Sequence, residues 1–290
     1  MPYSYIAEYA KIKLDDAGVF TGEVGEMTSG MKANSDFFGH PVLAPEYFET
    51  SHRDEVFRSR WQAATGSWDD KVVVDIGCGP GNIYATLGGN PKKLIGVDIS
   101  YNGLKFAKQV GYIPIWADAQ NLPFIDGFAD LVVANATLHH CDDMGRVLHE
   151  AARLVRPGGM LVTDLDPQVS AMNIKGLGAF LRKHRFTIYK LIKSRYYLSD
   201  EYRKMRFETE IHNKEPGDGI TSDLYRQVLE PLGFDFRLYP HNHDVGAEVL
   251  AGNIGKTSPR LRLAQRLSGM NPDTPEAAQS IMCIAIRKVA

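Results

Sequence analysis

The chain has 290 residues, 44% of them hydrophobic, with 33 Lys and Arg against 35 Asp and Glu for a formal net charge of −2. That length holds one α/β domain with insertions and an ample core, and the charge balance excludes any global pull toward nucleic acid or a membrane surface. Cys78, Cys141 and Cys283 lack paired or metal-ligand spacing and read as reduced, packed thiols, while the absence of a membrane-length apolar run and the charges scattered through MPYSYIAEYAKIKLDD lead us to expect a soluble cytoplasmic protein.

Residues 1–66 are expected to form an N-terminal helical arm. Up to about Pro45 no period is sustained, which suggests irregular chain with short helices. Over 47–64, Phe48, Val56, Phe57, Arg60 and Trp61 recur at three- and four-residue steps, which predicts one helix. A core over 67–167 then alternates strand and helix with short connections, the pattern of a parallel sheet. An apolar strand begins at Val72, and a helix over 83–87 stops at Gly88-Gly89-Asn90-Pro91. Strands over 94–97, 113–117, 129–134 and 160–163 end at Asp98, Asp118, near Asn135 and at Asp164. Helices over 104–110 and 146–154 lie between them. A C-terminal part, 220–290, supplies a helix over 222–232, a strand over 234–239 and a last strand over 281–288. Two stretches are surplus to this core, 168–219 and 241–279. Both lie near C-terminal strand ends, where they can fold over the crevice of an open sheet.

The most informative segment is VVVDIGCGPGNIY, residues 72–84. A buried β-branched run ends in Asp75, and Gly77, Gly79 and Gly81 follow as the chain turns into a helix. Glycines serve there where the backbone turns tightly or touches a ligand. The spacing is not that of a dinucleotide fingerprint, because Asn82 stands where the third glycine of that motif belongs. Asp98 ends the second strand about twenty residues later, the expected place for a carboxylate that accepts both hydroxyls of a ribose through bidentate, charge-assisted bonds. Ile99 offers an apolar face for a purine ring.

Four ordered motifs, DIGCGPG (75–81), GVDIS (96–100), ADAQNLPF (117–124) and LVRPGGMLV (154–162), together resemble the class I S-adenosylmethionine-dependent methyltransferases, in particular the small-molecule, type 11 or ubiquinone-biosynthesis-like group. The resemblance is strong over about 70–167 and weak over the last seventy residues. It implies a Rossmann-like, seven-stranded sheet, mostly parallel with an antiparallel last strand, plus helical cap insertions. It implies S-adenosyl-L-methionine as co-substrate. Asp118 would then receive the adenine amino group, the Ala119 N–H would meet a ring nitrogen, and Gly77, Gly79 and Gly81 would let the main chain approach the methionine and ribose portions. Asp75 would orient the loop, and the Asn135 carbonyl would meet the ammonium group.

On the acceptor side, NATLHHCDD (135–143) follows the fourth strand. His139 and His140 are neighbours, so on regular backbone they point apart and only one is expected to face an acceptor as general base. A metal site from His139, His140, Asp142 and Asp143 is not expected, because neighbouring residues rarely converge on one ion and a helix start there needs Asp caps. Glu210 and His212, with Asn213, end the first insertion and share a face if that stretch is extended and folds back. His241 and His243 give a weaker version of the same idea. The first insertion is also basic (Lys175, Arg182, Lys183, Arg185, Lys190, Lys193, Arg195, Arg203, Lys204 and Arg206), with Leu177, Phe180, Leu181, Ile188, Leu191 and Ile192 giving it an amphipathic pattern. It reads as a solvated helical cap, as a surface for an anionic acceptor, or as a membrane contact. Phe186, Tyr189, Tyr196, Tyr197 and Tyr202 suit a partly apolar acceptor. The expected function is methyl transfer to a small molecule, oxygen first, with nitrogen or carbon as alternatives. A nucleic-acid or protein methyltransferase is opposed by NATLHH, which lacks the Pro-Pro-aromatic pattern of base-amine methylation. A donor-binding module without catalysis stays open.

Overall fold

The computed structural model describes residues 3–8, 10–180, 184, 200–215 and 217–289. Its strands are β1 (Lys13–Leu14), β2 (Phe20–Thr21), β3 (Val72–Ile76), β4 (Lys93–Asp98), β5 (Ile113–Trp116), β6 (Ala129–Asn135), β7 (Val155–Pro167), β8 (Phe234–His241) and β9 (Ser280–Arg287). They form one sheet in the order β1-β2-β5-β4-β3-β6-β7-β9-β8. Every residue of β3 is buried, so this strand has no polar face and takes the centre, covered on both sides. β5, β4, β3, β6 and β7 run parallel. β9 lies antiparallel between β7 and β8, which is the expected return of the last strand.

The helices are α1 (Ser29–Phe38), α2 (Leu43–Thr50), α3 (Glu55–Thr65), α4 (Asn82–Leu87), α5 (Tyr101–Val110), α6 (Met144–Leu154), α7 (Val169–Met172), α8 (Asp200–Thr209), α9 (Ser222–Leu229) and α10 (Pro259–Leu267). α6 and α9 cover one sheet face through Val147, Leu148, Ala151, Tyr225 and Leu229. α3 and α5 cover the other through Phe57, Trp61, Leu104 and Ala107.

Three expectations change. The arm is not only irregular and helical: β2 pairs parallel with β5 and β1 pairs antiparallel with β2, so the sheet has nine strands rather than seven. Two-residue strands are too short to carry a readable period. The single helix expected over 47–64 is two, α2 and α3. His52 between them has φ 62°, which no right-handed helix admits, and the Asp54 side chain caps the new start by accepting from the Phe57 N–H at 2.7 Å. The fifth core strand begins at Val155, not Met160, and runs to Pro167, which carries Asp164 and Asp166 into the protein. Of the basic insertion, Leu181, Arg182, Lys183, Arg185, Phe186, Ile188, Tyr189, Lys190, Leu191, Ile192, Lys193, Arg195, Tyr196 and Tyr197 lie outside the described residues. No helix among the described residues is long and apolar enough to cross a membrane.

One buried ionic cluster ties α3 to the sheet and to the second insertion. Arg60 donates through Nε to Asp164 at 2.9 Å and through Nη1 to the Val245 carbonyl at 2.6 Å. His241 Nε2 lies 2.6 Å from the other Asp164 oxygen. Burial works to raise the Asp164 carboxyl, but the His241 ring and the Arg60 guanidinium outweigh it and hold it well below the usual range. Arg60→Met removes one partner and leaves a buried charge, so unfolding in urea is expected to show a loss of about 3–5 kcal/mol; a loss below about 1 kcal/mol would show that the cluster is dispensable.

Candidate functional site

Two adjoining cavities open along the C-terminal ends of the parallel strands, where an open α/β sheet presents its loops. The first is lined by Asp75, Gly77, Cys78 and Gly79 at and after the end of β3, by Val97, Asp98 and Ile99 at the end of β4, by Asp118, Ala119 and Gln120, and by Asn135, Ala136, Thr137 and His140. These are the loops expected to hold a nucleoside. The arm closes it with Met31, Asn34, Phe38, Tyr47 and His52.

Asp98 is nearly buried, and each of its oxygens accepts one main-chain N–H, from Gly79 and from Ser100, both at 2.7 Å. A carboxylate oxygen has room for a further bond, so both can still accept from a vicinal diol. Burial pushes the Asp98 carboxyl up to about 6, although those N–H groups oppose it. Burial likewise raises Asp75 to about 7 against the hydrogen bond that Tyr112 donates at 2.6 Å. Asp118 accepts from both the main-chain and side-chain nitrogens of Gln120, an Asx turn that shapes its loop and leaves Asp118 and Ala119 on the cavity wall.

Gly77 and Gly79 have φ of 69° and 50° and line the cavity. Gly81 does not. It caps α4 with φ 95°, and a Cβ there would sit 3.1 Å from the Tyr112 ring and 3.3 Å from Ala107, so its smallness serves helix packing. Asn82 takes part in its place: its amide donates to the carbonyls of Tyr47, Phe48 and Ser51, which ties the end of α2 over the cavity. The Asn135 carbonyl accepts from the Thr137 hydroxyl, and it is the Asn135 side-chain oxygen that is left without a partner.

Asn34 Oδ1, His52 Nδ1, Asn82 Oδ1 and Asn135 Oδ1 are all buried polar atoms without a hydrogen-bond partner, and all four residues line this cavity. Buried polar atoms are normally satisfied by protein, water or ligand, so these four are groups that a polar ligand or water in this cavity can complete. Backbone strain gathers here too: His52 and Ala136 line both cavities and Leu165 lines the second, each with positive φ.

The second cavity shares Phe38, Tyr47, His52, Ala136 and His140 with the first. Phe37, Phe57, Leu165, Pro167 and Tyr202 make it apolar on one side. His139, Arg206, Glu210, Asn213 and His243 give it polar groups. His139 and His140 correct the expectation that they diverge. They lie on a 3₁₀ turn, Leu138–His140, and their rings sit side by side with centroids 4.1 Å apart. Each is drawn by its own Nδ1 partner, Asp166 Oδ1 for His139 and the Thr209 carbonyl for His140, both at 2.8 Å. Burial works to lower the His139 ring, but the hydrogen bond and charge of Asp166 and the charge of Glu210 prevail and raise it. Burial, then the neighbouring His139, lowers His140 well below the ordinary range.

Glu210 reaches the site, with Oε2 3.4 Å from His139 Nε2. His212 does not line either cavity. Its main-chain N–H donates to the His139 carbonyl at 2.9 Å and its Nε2 lies 3.1 Å from the Asp142 carbonyl, which pins the segment in place. Asp142 accepts from the Thr28 hydroxyl and Asp143 caps α6 by accepting from the Arg146 N–H. His241 is sealed in the Arg60–Asp164 cluster, while His243 lines the second cavity and bonds Ser280 at 2.9 Å. Sequence reasoning missed Asp166 and the arm residues. A signal for Asp166 existed: TDLDP carries two carboxylates at the end of an apolar run, and both are buried. Nothing periodic marks Met31, Asn34 or Tyr47.

Comparison with known proteins bears on the same residues. A family model described as a methyltransferase domain matches residues 74–163. A tRNA (carboxymethyluridine(34)-5-O)-methyltransferase of Arabidopsis thaliana is 38% identical over 95 residues, 31% of this chain and 23% of that protein. Phthiotriol/phenolphthiotriol dimycocerosates methyltransferase 1 of Mycobacterium ulcerans is 31% identical over 132 residues, 43% of this chain and 49% of that protein. The matches thus span a quarter to a half of these relatives' length. Among solved structures, the plantazolicin methyltransferase BamL, in complex with a triazolic desmethyl analogue and S-adenosylhomocysteine, is similar with a TM-score of 0.51 and 16% identity, over 90% of this chain and 96% of that one. The [4+2]-cyclase SpnF is similar with a TM-score of 0.50 and 15% identity, over 91% and 97%. At those identities the likeness is one of fold.

Proposed function

We propose that this chain, whose residues 74–163 belong to the class I S-adenosylmethionine-dependent methyltransferases of the type 11 group, transfers the sulfonium methyl of S-adenosylmethionine to a hydroxyl of a partly apolar small molecule. The observation that carries the reading is the pair of joined cavities. One has nucleoside-suited carboxylates and orphaned polar atoms, and the other has a mixed apolar and polar wall. A methyl group passing between donor and acceptor crosses where Tyr47, Ala136 and His140 line both.

Each donor contact has its counterpart in the chain. Asp98 accepts the two ribose hydroxyls, and Ile99 packs on the adenine. Asp118 and the Ala119 N–H meet the adenine edge. Gly77 and Gly79 admit the methionine portion, and Asn135 faces its ammonium. The reaction is an in-line displacement: the acceptor oxygen's lone pair forms the O–C bond, and the C–S pair withdraws to sulfur. It needs alignment and exclusion of water more than covalent help. Phe38, Tyr47 and His52 supply the cover. Burial lowers the His52 ring to about 4, so it stays neutral beside a sulfonium. Arg206 and Asn213 suit an acceptor with an anionic or carbonyl end.

Calorimetry with S-adenosylhomocysteine tests the donor half. Micromolar binding is expected, and no heat at millimolar ligand would end the reading. The acceptor half is tested by transfer of a labelled methyl group to hydroxylated, partly apolar compounds; a donor-binding protein that labels none of a broad panel, or labels RNA instead, would refute it.

A further inference from the structure

We propose that His139, His140 and Glu210 bind a divalent first-row transition ion of the zinc class, at the wall of the second cavity where it meets the first. One ligand atom of each residue lies within 4.8 Å of the other two. The tautomers follow from the hydrogen bonds. His139 Nδ1 faces Asp166 Oδ1, which also accepts the His139 main-chain N–H at 3.0 Å, and His140 Nδ1 faces the Thr209 carbonyl. A carboxylate and a carbonyl only accept, so each Nδ1 carries the hydrogen, and in the neutral ring each Nε2 is left with its lone pair. A carboxylate or main-chain carbonyl behind each ring is the arrangement that orients metal-binding imidazoles.

One ring nitrogen of each histidine then shares a small space with the Glu210 carboxylate. His139 Nε2 and Glu210 Oε2 lie 3.4 Å apart. Two acceptors at that distance repel unless a positive charge lies between them. One proton answers for His139 alone, and a second on His140 would set two cations side by side. One divalent ion serves all three groups at once. Metal–ligand bonds near 2.1 Å in tetrahedral geometry place neighbouring ligand atoms about 3.4 Å apart, the separation already present for one pair. Asn213 donates to Glu210 Oε2 at 3.0 Å and steadies the carboxylate. Two imidazoles and one carboxylate suit zinc, iron, cobalt or manganese rather than magnesium, and three protein ligands leave a position open to the cavity.

Metal binding stands independently of the methyl-transfer reading; only its role rests on that reading. An ion held there would make an acceptor hydroxyl at its open position more acidic, so that the hydroxyl's proton goes to water as its oxygen forms the O–C bond and the C–S pair withdraws to sulfur, releasing S-adenosylhomocysteine.

The test uses the full chain, stripped with chelator and titrated with cobalt alone, reading its visible d–d absorption, with zinc content by elemental analysis. One equivalent is expected, with affinity reduced at least about 100-fold by Glu210→Gln, about 10–100-fold by Asp166→Asn through the lost orientation of His139, and not at all by His149→Ala on the exposed side of α6. S-adenosylhomocysteine calorimetry on each variant reports folding and the donor site separately. Absence of a cobalt spectrum at millimolar metal, or affinity indifferent to Glu210→Gln in a variant that still binds S-adenosylhomocysteine, overturns the metal site and leaves the methyl-transfer reading standing. Cobalt bound by a protein that takes no S-adenosylhomocysteine overturns that reading alone.

Discussion

Asp98→Asn is expected to weaken S-adenosylhomocysteine binding at least 100-fold, nearly as much as Asp98→Ala. The carboxylate does two tasks at once. It accepts the Gly79 and Ser100 N–H groups, one on each oxygen, and in the proposed complex it offers the remaining lone pairs to the ribose. Hydrogen bonds to a charged group contribute about 1.5–3 kcal/mol each, so losing two ribose bonds exceeds the roughly 2.7 kcal/mol that corresponds to 100-fold. An amide cannot rescue them, because its NH2 would face one of the two N–H donors. The fold loses one of those loop hydrogen bonds, about 1–3 kcal/mol, offset in part because burial favours a neutral group at this position, and it stays folded. Circular dichroism should therefore match the parent protein while calorimetry does not; a loss below about fivefold would remove Asp98 from the ribose assignment.

The same carboxylate sets a pH dependence. In the free protein it titrates at about 6, and accepting two hydroxyls stabilises only its ionised form. Its value must fall in the complex, so binding releases a proton near pH 6. Affinity holds above that value and falls by up to tenfold per pH unit below it. Calorimetry at pH 6 in buffers of different ionisation enthalpy counts the released proton. Heats that do not depend on the buffer would contradict the sign.

How far the sequence disclosed these features depends on how local each one is. The lining of the first cavity was legible because its parts recur at strand ends: Asp98, Asp118 and Asn135 each follow an apolar run, and Gly77 and Gly79 follow the first. The antiparallel β9 was legible through the family resemblance. The acceptor side was not, because it is assembled from distant segments. The direction of His139 is set by Asp166, 27 residues away, and that of His140 by Thr209, 69 residues away. Adjacency in sequence therefore gave the wrong geometry for that pair. The arm that covers the donor cavity is held by single bonds such as those from Asn82 to α2 and from Asn34 to the Thr209 carbonyl, and such bonds leave no periodic trace.

Gly77→Ala and Gly79→Ala should fail in opposite ways, although they stand two residues apart in one loop. Both need positive φ, which costs an alanine about 1–2 kcal/mol. At Gly77 a Cβ would lie 2.5 Å from the Thr137 side chain. Thr137 donates to the Ile76 and Asn135 carbonyls and so ties the end of β3 to that of β6. Overpacking there adds about 1–3 kcal/mol, and urea unfolding should report a total loss of about 2–5 kcal/mol. At Gly79 no atom of the protein lies within 4 Å of the added carbon, so the fold loses only the backbone term. The carbon instead occupies space on the cavity wall, directly beside the N–H that holds Asp98. S-adenosylhomocysteine affinity should then fall by tenfold or more in a variant of nearly normal stability. Unimpaired binding by Gly79→Ala would mean that this loop does not approach the donor, and with that the nucleoside would have to lie elsewhere.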